Sequence, residues 1–264
     1  MLFNYYSNLL YNQLNPMKTL MKKTILSALS LSLVSISLFA GDVAHWALDE
    51  TSGTDTFDLS GNSLNGAYQG TYTLNQAGQF GTAVDFDGST GEVFKGATSA
   101  LYNLRNDFTV AAWVNADSVT GTQRIFSSAG GQWGFGLAGD KLQFTAFGII
   151  DATSTATVAA DTWTHVAVGV SADNFASFYI NGSYIDTINI TSETNQNTGV
   201  NWFIGSSGDG QRFDGTLDEL HIFGSELGEN QVSSLATTNS IPEPSTAAYL
   251  FFIGIATIMF RRRA

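Results

Sequence analysis

Residues 162–188, TWTHVAVGVSADNFASFYINGSYIDTI, constrain the fold more than any other stretch. Val166, Val168 and Val170 alternate with His165, Ala167 and Gly169, so the valines share one face of a strand. Phe175–Ile180 follows, rich in aromatic and β-branched residues. Asn181-Gly182 separates it from Ser183–Ile188. A type I′ turn needs φ > 0 at both central residues, which Asn-Gly supplies, so the pair marks a hairpin. Three antiparallel strands in a row commit this part of the chain to an all-β core.

The same patterns recur on either side. Val43–Leu48 is a short strand entering the turn Asp49–Gly53, and Asp58–Asn62 is a second turn rich in oxygen ligands. Gly81–Asp87 is a strand ending at the turn dipeptide Asp87-Gly88. In Phe108–Asn115, Phe108, Val110, Ala112 and Val114 share a face and Trp113 points the other way. Gln123–Ala129, Gln132–Ala138 and Lys141–Phe147 form a meander, and Asp151–Ala160 reads as a loop with one weak strand. Val200–Gly205 and Thr216–Phe223 are later strands; Leu227, Val232 and Leu235 at helical spacing predict a short helix within Glu226–Ala236. About a dozen short strands and one terminal helix argue for a two-sheet sandwich or jelly roll. Several strands are apolar on both faces: Phe175 and Tyr179 face one way, Phe178 and Ile180 the other. One face is core, and the second must be covered, functional or tolerated surface.

Both ends look like sorting segments. Lys22-Lys23 precede the apolar run Ile25–Phe39, and Ala40-Gly41 offers a cleavage site, the layout of a secretory signal peptide over residues 1–40. Met17 or Met21 could serve as the start in place of Met1. The chain has no cysteine, hence no disulfide scaffold. Every acidic residue except Glu243 falls in residues 41–240, against only Lys95, Arg105, Arg124, Lys141 and Arg212 as bases. So acidic a surface repels phosphate backbones and makes nucleic acid an unsuitable partner. It favours cations, calcium first for oxygen ligands, or serves simply as a solvated surface.

Seven stretches, in order, resemble the laminin-G-like, concanavalin A-like jelly-roll family in its pentraxin-like branch. They are His45–Gly53, Asp58–Ala67, Phe80–Ser89, Asp107–Asn115, Thr162–Val168, Phe178–Ile185 and Phe213–Phe223. The resemblance spans nearly all of 41–240 and implies two antiparallel sheets packed face to face. It implies no single function, since such domains bind glycans or proteins, accompany enzymes or mediate adhesion. It also implies that Asp49, Asp58, Asn62 and Asp218 come towards one edge, where they could hold a structural calcium ion. Asp209, Gln211 and Asp214 are a second candidate group.

Residues 241–264 are similar to a PEP-CTERM sorting signal. Pro242, Glu243 and Pro244 are followed by an apolar run to Phe260 and then Arg261, Arg262 and Arg263. Residues 244–260 as a transmembrane helix would span roughly 26 Å, a little less than the ~30 Å hydrocarbon core, and the arginines favour a cytoplasmic end. The resemblance implies transient anchoring in the inner membrane of a two-membrane bacterium, cleavage by an exosortase after passage through the secretion machinery, and delivery to the cell surface or extracellular matrix. The alternative is a permanent single-span anchor.

Catalytic motifs are scarce. The Glu-x-Asp-x-x-Glu run of related glucanases is missing, and Asp218 and Glu219, being adjacent, are predicted to face opposite sides of a strand. His45, His165 and His221 have no metal-binding spacing and read as strand residues. Trp133, Trp202, Tyr179 and Tyr184 are candidate sugar-stacking platforms, with core packing as the competing role. The expectation is an exported, non-enzymatic module binding extracellular polysaccharide or a surface protein. The alternatives are a carbohydrate-active enzyme, lyase or hydrolase, and a purely structural matrix protein.

Overall fold

The computed structural model describes residues 41–192, 194 and 197–241. The proposed signal peptide, the Pro242–Glu243–Pro244 motif, the transmembrane run and Arg261–Arg263 lie outside the described residues.

Two antiparallel sheets form a sandwich. The first runs β14 (Ser183–Asn189), β13 (Phe175–Ile180), β12 (Thr164–Val170), β7 (Phe108–Ala116), β16 (Asp214–Phe223), β5 (Thr82–Asp87), β4 (Tyr72–Ala77). Its remaining strand, β1 (Asp42–Trp46), pairs with the far half of β16. The second runs β11 (Ile150–Thr157), β10 (Lys141–Ala146), β9 (Trp133–Ala138), β8 (Thr122–Ser128), β15 (Trp202–Ile204), β6 (Glu92–Lys95), β3 (Gly66–Gln69), β2 (Asp55–Thr56). Helix α1 (Ser99–Tyr102) is one turn; α2 (Glu229–Thr238) is the helix predicted near the end of the domain.

The valines behave as their alternation dictates. Val166, Val168 and Val170 face the space between the sheets with Val110, Val114 and Phe178. Rings fill the centre: Trp133 lies 4.6 Å from Phe108 and 4.8 Å from Trp202, and Phe126 stacks on Trp202 at 5.3 Å. The second apolar face is covered. Ala111, Ala167, Tyr179 and Phe223 on the outer side of the first sheet pack against Leu227 and, from α2, Val232 and Leu235. A helix laid over one sheet therefore accounts for strands that are apolar on both sides.

Two sequence expectations are corrected. Residues 150–157 form a full strand where a loop with one weak strand is expected, with Ala152, Ser154 and Ala156 buried in alternation. Asp218 and Glu219 do not face opposite sides. A β-bulge falls between Asp218 and His221, with Glu219 at φ 50°, so Leu217 and Leu220 both enter the core and both acids are left off it.

Candidate functional site

The outer face of the second sheet carries a polar pocket at the β10–β11 turn. Cross-strand pairing aligns Arg124 with Gly136 and Gln143, and Gly134 with Thr145 and Asp151. The glycines of β9 leave this floor without side chains. Around it Thr145 Oγ1 donates to Asp151 Oδ1 at 2.7 Å and Gln143 Nε2 donates to Thr153 Oγ1 at 2.9 Å. The pocket holds about 400 Å³, and Arg124, Thr145, Phe147, Ile150, Asp151 and Gln211 line it.

Arg124 is its unusual feature. The residue is 2% exposed. Its Nε donates to Gln211 Oε1 at 2.8 Å, and its guanidinium lies 5.6 Å from the Phe147 ring centre. Its Nη1 is buried without a hydrogen-bond partner. Burial lowers the pKa of the group, the charge of Asp151 opposes that, and a guanidinium stays protonated regardless. A buried cation with an unused planar donor suits hydroxyl or carboxylate oxygens brought by a ligand.

The predicted platforms separate. Trp133 and Trp202 are fully buried and belong to the core, so neither can stack on a sugar at the surface. Trp133 Nε1 donates to the Leu104 carbonyl at 2.9 Å, an internal contact. Tyr179 lies beneath α2 at 5% exposure, and Tyr184, 46% exposed, is the one open ring of the four. Tyr184 lies on β14 of the other sheet and does not line the pocket. Arg124 was missed because a lone arginine in a strand has no local signature; its neighbours come from β9, β10 and the Gln211 loop.

The predicted calcium ligands also divide. Asp58 accepts from the backbone N–H of His45, Ser60 and Leu64 and from Ser60 Oγ, which occupies both oxygens. Burial raises the cost of its charge, yet these bonds hold its pKa below the usual carboxylate value. It is a turn brace, and Asn62, whose Nδ2 donates to the carbonyls of Asp42 and Val43, is another. In the second candidate group Gln211 is committed to Arg124 and Asp209 accepts from Ser207.

Asp49 and Asp218 behave differently, flanking one loop. Asp49 Oδ1 accepts from Thr82 N and Oγ1, and Asp218 Oδ2 accepts from Gln79 and Phe80 N–H at 2.7 and 3.0 Å. A Cβ on Gly81 or Gly78 would collide with Asp49 Oδ1 or Asp218 Oδ2. Asp218 is fully buried and its Oδ1 has no partner. Burial pushes its pKa up to about 7; the Phe80 and Gln79 N–H groups oppose the rise, and the charges of Glu219 and Asp49 add to it. Asp49 and Asp218 thus both brace the Gly78–Thr82 loop, and Asp218 keeps one bare buried oxygen.

The three histidines, far apart in the sequence, meet on the outer face of the first sheet. His45 and His221 are register partners across β1 and β16, with rings stacked 3.8 Å apart. His165, beside Trp113, is buried, and its pKa falls to about 3 through burial and the charge of His221.

A profile of the concanavalin A-like lectin/glucanases superfamily, of the laminin-G type, matches residues 86–233. No curated protein matches the chain. Among solved structures, domain 4 of AbnA, an extracellular GH43 arabinanase from Geobacillus stearothermophilus determined with arabinotriose, is 21% identical with a TM-score of 0.61. That similarity covers 75% of this chain and 99% of the arabinanase domain. The binding domain of botulinum neurotoxin DC, in complex with rat synaptotagmin II, is 17% identical with a TM-score of 0.60, over 75% of this chain and 51% of that one. A botulinum neurotoxin type C structure, whose cell entry depends on two ganglioside molecules, is 16% identical at 0.60 with the same coverage. The chain thus spans about half the length of the neurotoxin binding domains, and identities this low establish a shared fold.

Proposed function

From the premise that this chain belongs to the concanavalin A-like lectin/glucanases superfamily, we propose that it is an exported binding module for extracellular polysaccharide, with the Arg124 pocket as its site. One observation carries this reading: Arg124, whose buried Nη1 has no hydrogen-bond partner, lines a pocket edged by Thr145, Asp151 and Gln211. Sugars present the oxygens such donors take, and a uronate adds the charge. Asp151 is the one carboxylate among the described lining residues, whereas two-carboxylate hydrolysis needs a pair, which favours binding over cleavage. Relatives in fold recognise glycans, as in the arabinotriose complex, or proteins, as in the synaptotagmin complex. A surface protein is accordingly the other ligand class.

The sequence at the two ends supports export, transient retention in the inner membrane, and release by an exosortase at Pro242–Pro244 to the cell surface or matrix. Calcium would be held by Asp49 and Asp218, with the ion neutralising the buried acid and fixing the loop around Gly78–Thr82.

Affinity electrophoresis of the full-length protein through gels containing single polysaccharides tests the reading. Retardation by a uronate-containing or arabinose-containing polymer is expected, and Asp151→Asn and Phe147→Ala should change it while the protein stays folded. No retardation by any polymer, or retardation indifferent to both substitutions, would overturn the assignment of the pocket.

A further inference from the structure

On the other sheet, Asp42, His45 and His221 each place one ligand atom within 4.8 Å of the other two. The hydrogen bonds around them fix which atoms are free. His45 Nε2 is 2.6 Å from Glu219 Oε2, and His221 Nε2 is 3.0 Å from Asn239 Oδ1 and 3.8 Å from the same Glu219 oxygen. Both acceptors require the proton on Nε2, so each neutral ring carries its lone pair on Nδ1. His221 is 4% exposed, and its Nδ1 is buried without a hydrogen-bond partner. Facing it at 3.6 Å is Asp42 Oδ2, and Asp42 Oδ1 is also buried and unpartnered. Two acceptors therefore confront each other across a gap that a hydrogen bond does not close.

We propose that Asp42, His45 and His221 bind a divalent transition-metal ion, zinc being the probe, with Glu219 and Asn239 orienting the two imidazoles. Ligand bonds of ~2.0–2.2 Å at a near-tetrahedral angle put neighbouring ligand atoms ~3.4 Å apart, close to the 3.6 Å between His221 Nδ1 and Asp42 Oδ2. A carboxylate or amide oxygen on the far nitrogen of a ligating histidine is the usual outer support of such sites. Two imidazoles and a carboxylate suit zinc and its neighbours better than calcium, which takes oxygen. One ion cannot lie in the planes of two parallel stacked rings, so loading turns His45 and His221 out of their stack. The ion would tie the first described strand, the last strand and the C-terminal end of α2 together.

Isothermal titration of zinc into the full-length protein, purified without a histidine tag and stripped with EDTA, tests this. One zinc per chain with a micromolar or tighter Kd is expected, with a rise in Tm and, on cobalt substitution, a visible spectrum of four-coordinate N/O ligation. Asp42→Asn and His221→Gln should weaken binding at least about tenfold, and Asp49→Asn and Arg124→Gln should leave it unchanged. Should His221→Gln fail to fold by circular dichroism, Asp42→Asn decides. No saturable zinc binding, or equal binding by the Asp42→Asn variant, overturns the site. The polysaccharide assay reads the opposite sheet, so either proposal can fail alone.

Discussion

At pH 8 the carboxyl of Asp218 must carry charge where water does not reach, since the residue is fully buried. Its folded pKa of about 7 lies above the 3.8 of an ordinary aspartate, so the folded state binds the proton more tightly. Its stabilising contribution is complete below pH 3.8 and is lost as pH rises through 7. In EGTA, Asp218→Asn should therefore be more stable than the parent at pH 8, by on the order of 1–3 kcal/mol, and not at pH 4, as urea denaturation would register. With calcium present the order should reverse, and a parent Tm indifferent to both calcium and EGTA would remove the ion from this site. His165 works in the opposite sense. Its folded pKa is about 3 against 6.5 for the free ring, so the unfolded chain takes up the proton first. Stability present above pH 6.5 should drain away as pH falls towards 3, by a few kcal/mol in all, and His165→Gln should flatten that slope in acid denaturation.

The hairpin between β13 and β14 shows what a single turn contributes to its neighbours. Asn181 and Gly182 have φ of 49° and 80°, the conformation an Asn-Gly turn predicts. A Cβ on Gly182 would lie 2.7 Å from Ser233 Cα in α2, so the turn also seats the helix. Gly182→Ala should cost about 1–3 kcal/mol from backbone strain alone and loosen α2, seen as faster amide exchange at Val232 and Leu235. This hairpin was legible because turn chemistry and alternation are local. Strand β11 was not, because Ala152, Ser154 and Ala156 are small enough to pack yet share their composition with loops. The two-residue β2 and the short β3, β4 and β6 went unread for want of an apolar run. The bulge at Glu219 hid most of the polar chemistry. One inserted residue turns Asp218 towards the Gly78–Thr82 loop and Glu219 towards His45, and strict alternation forbids that outcome.

Across the whole domain, the sandwich separates stability from recognition. Trp133→Ala or Trp202→Ala should destabilise the protein by about 3–5 kcal/mol, measured by urea denaturation, while any variant that still folds keeps its polysaccharide retardation. The sequence set the layered architecture through its periodicities, whereas the pocket and the histidine cluster arise only where distant strands fall into register. The pairing of β1 with β16 has a further consequence, for the order of assembly. The first described strand is made first, yet its ladder partner is the last strand of the domain. Until β16 arrives, the side of β1 that pairs with it remains an open edge. Contacts so distant along the chain make for slow folding, and the sheet can close only once nearly the whole domain has emerged.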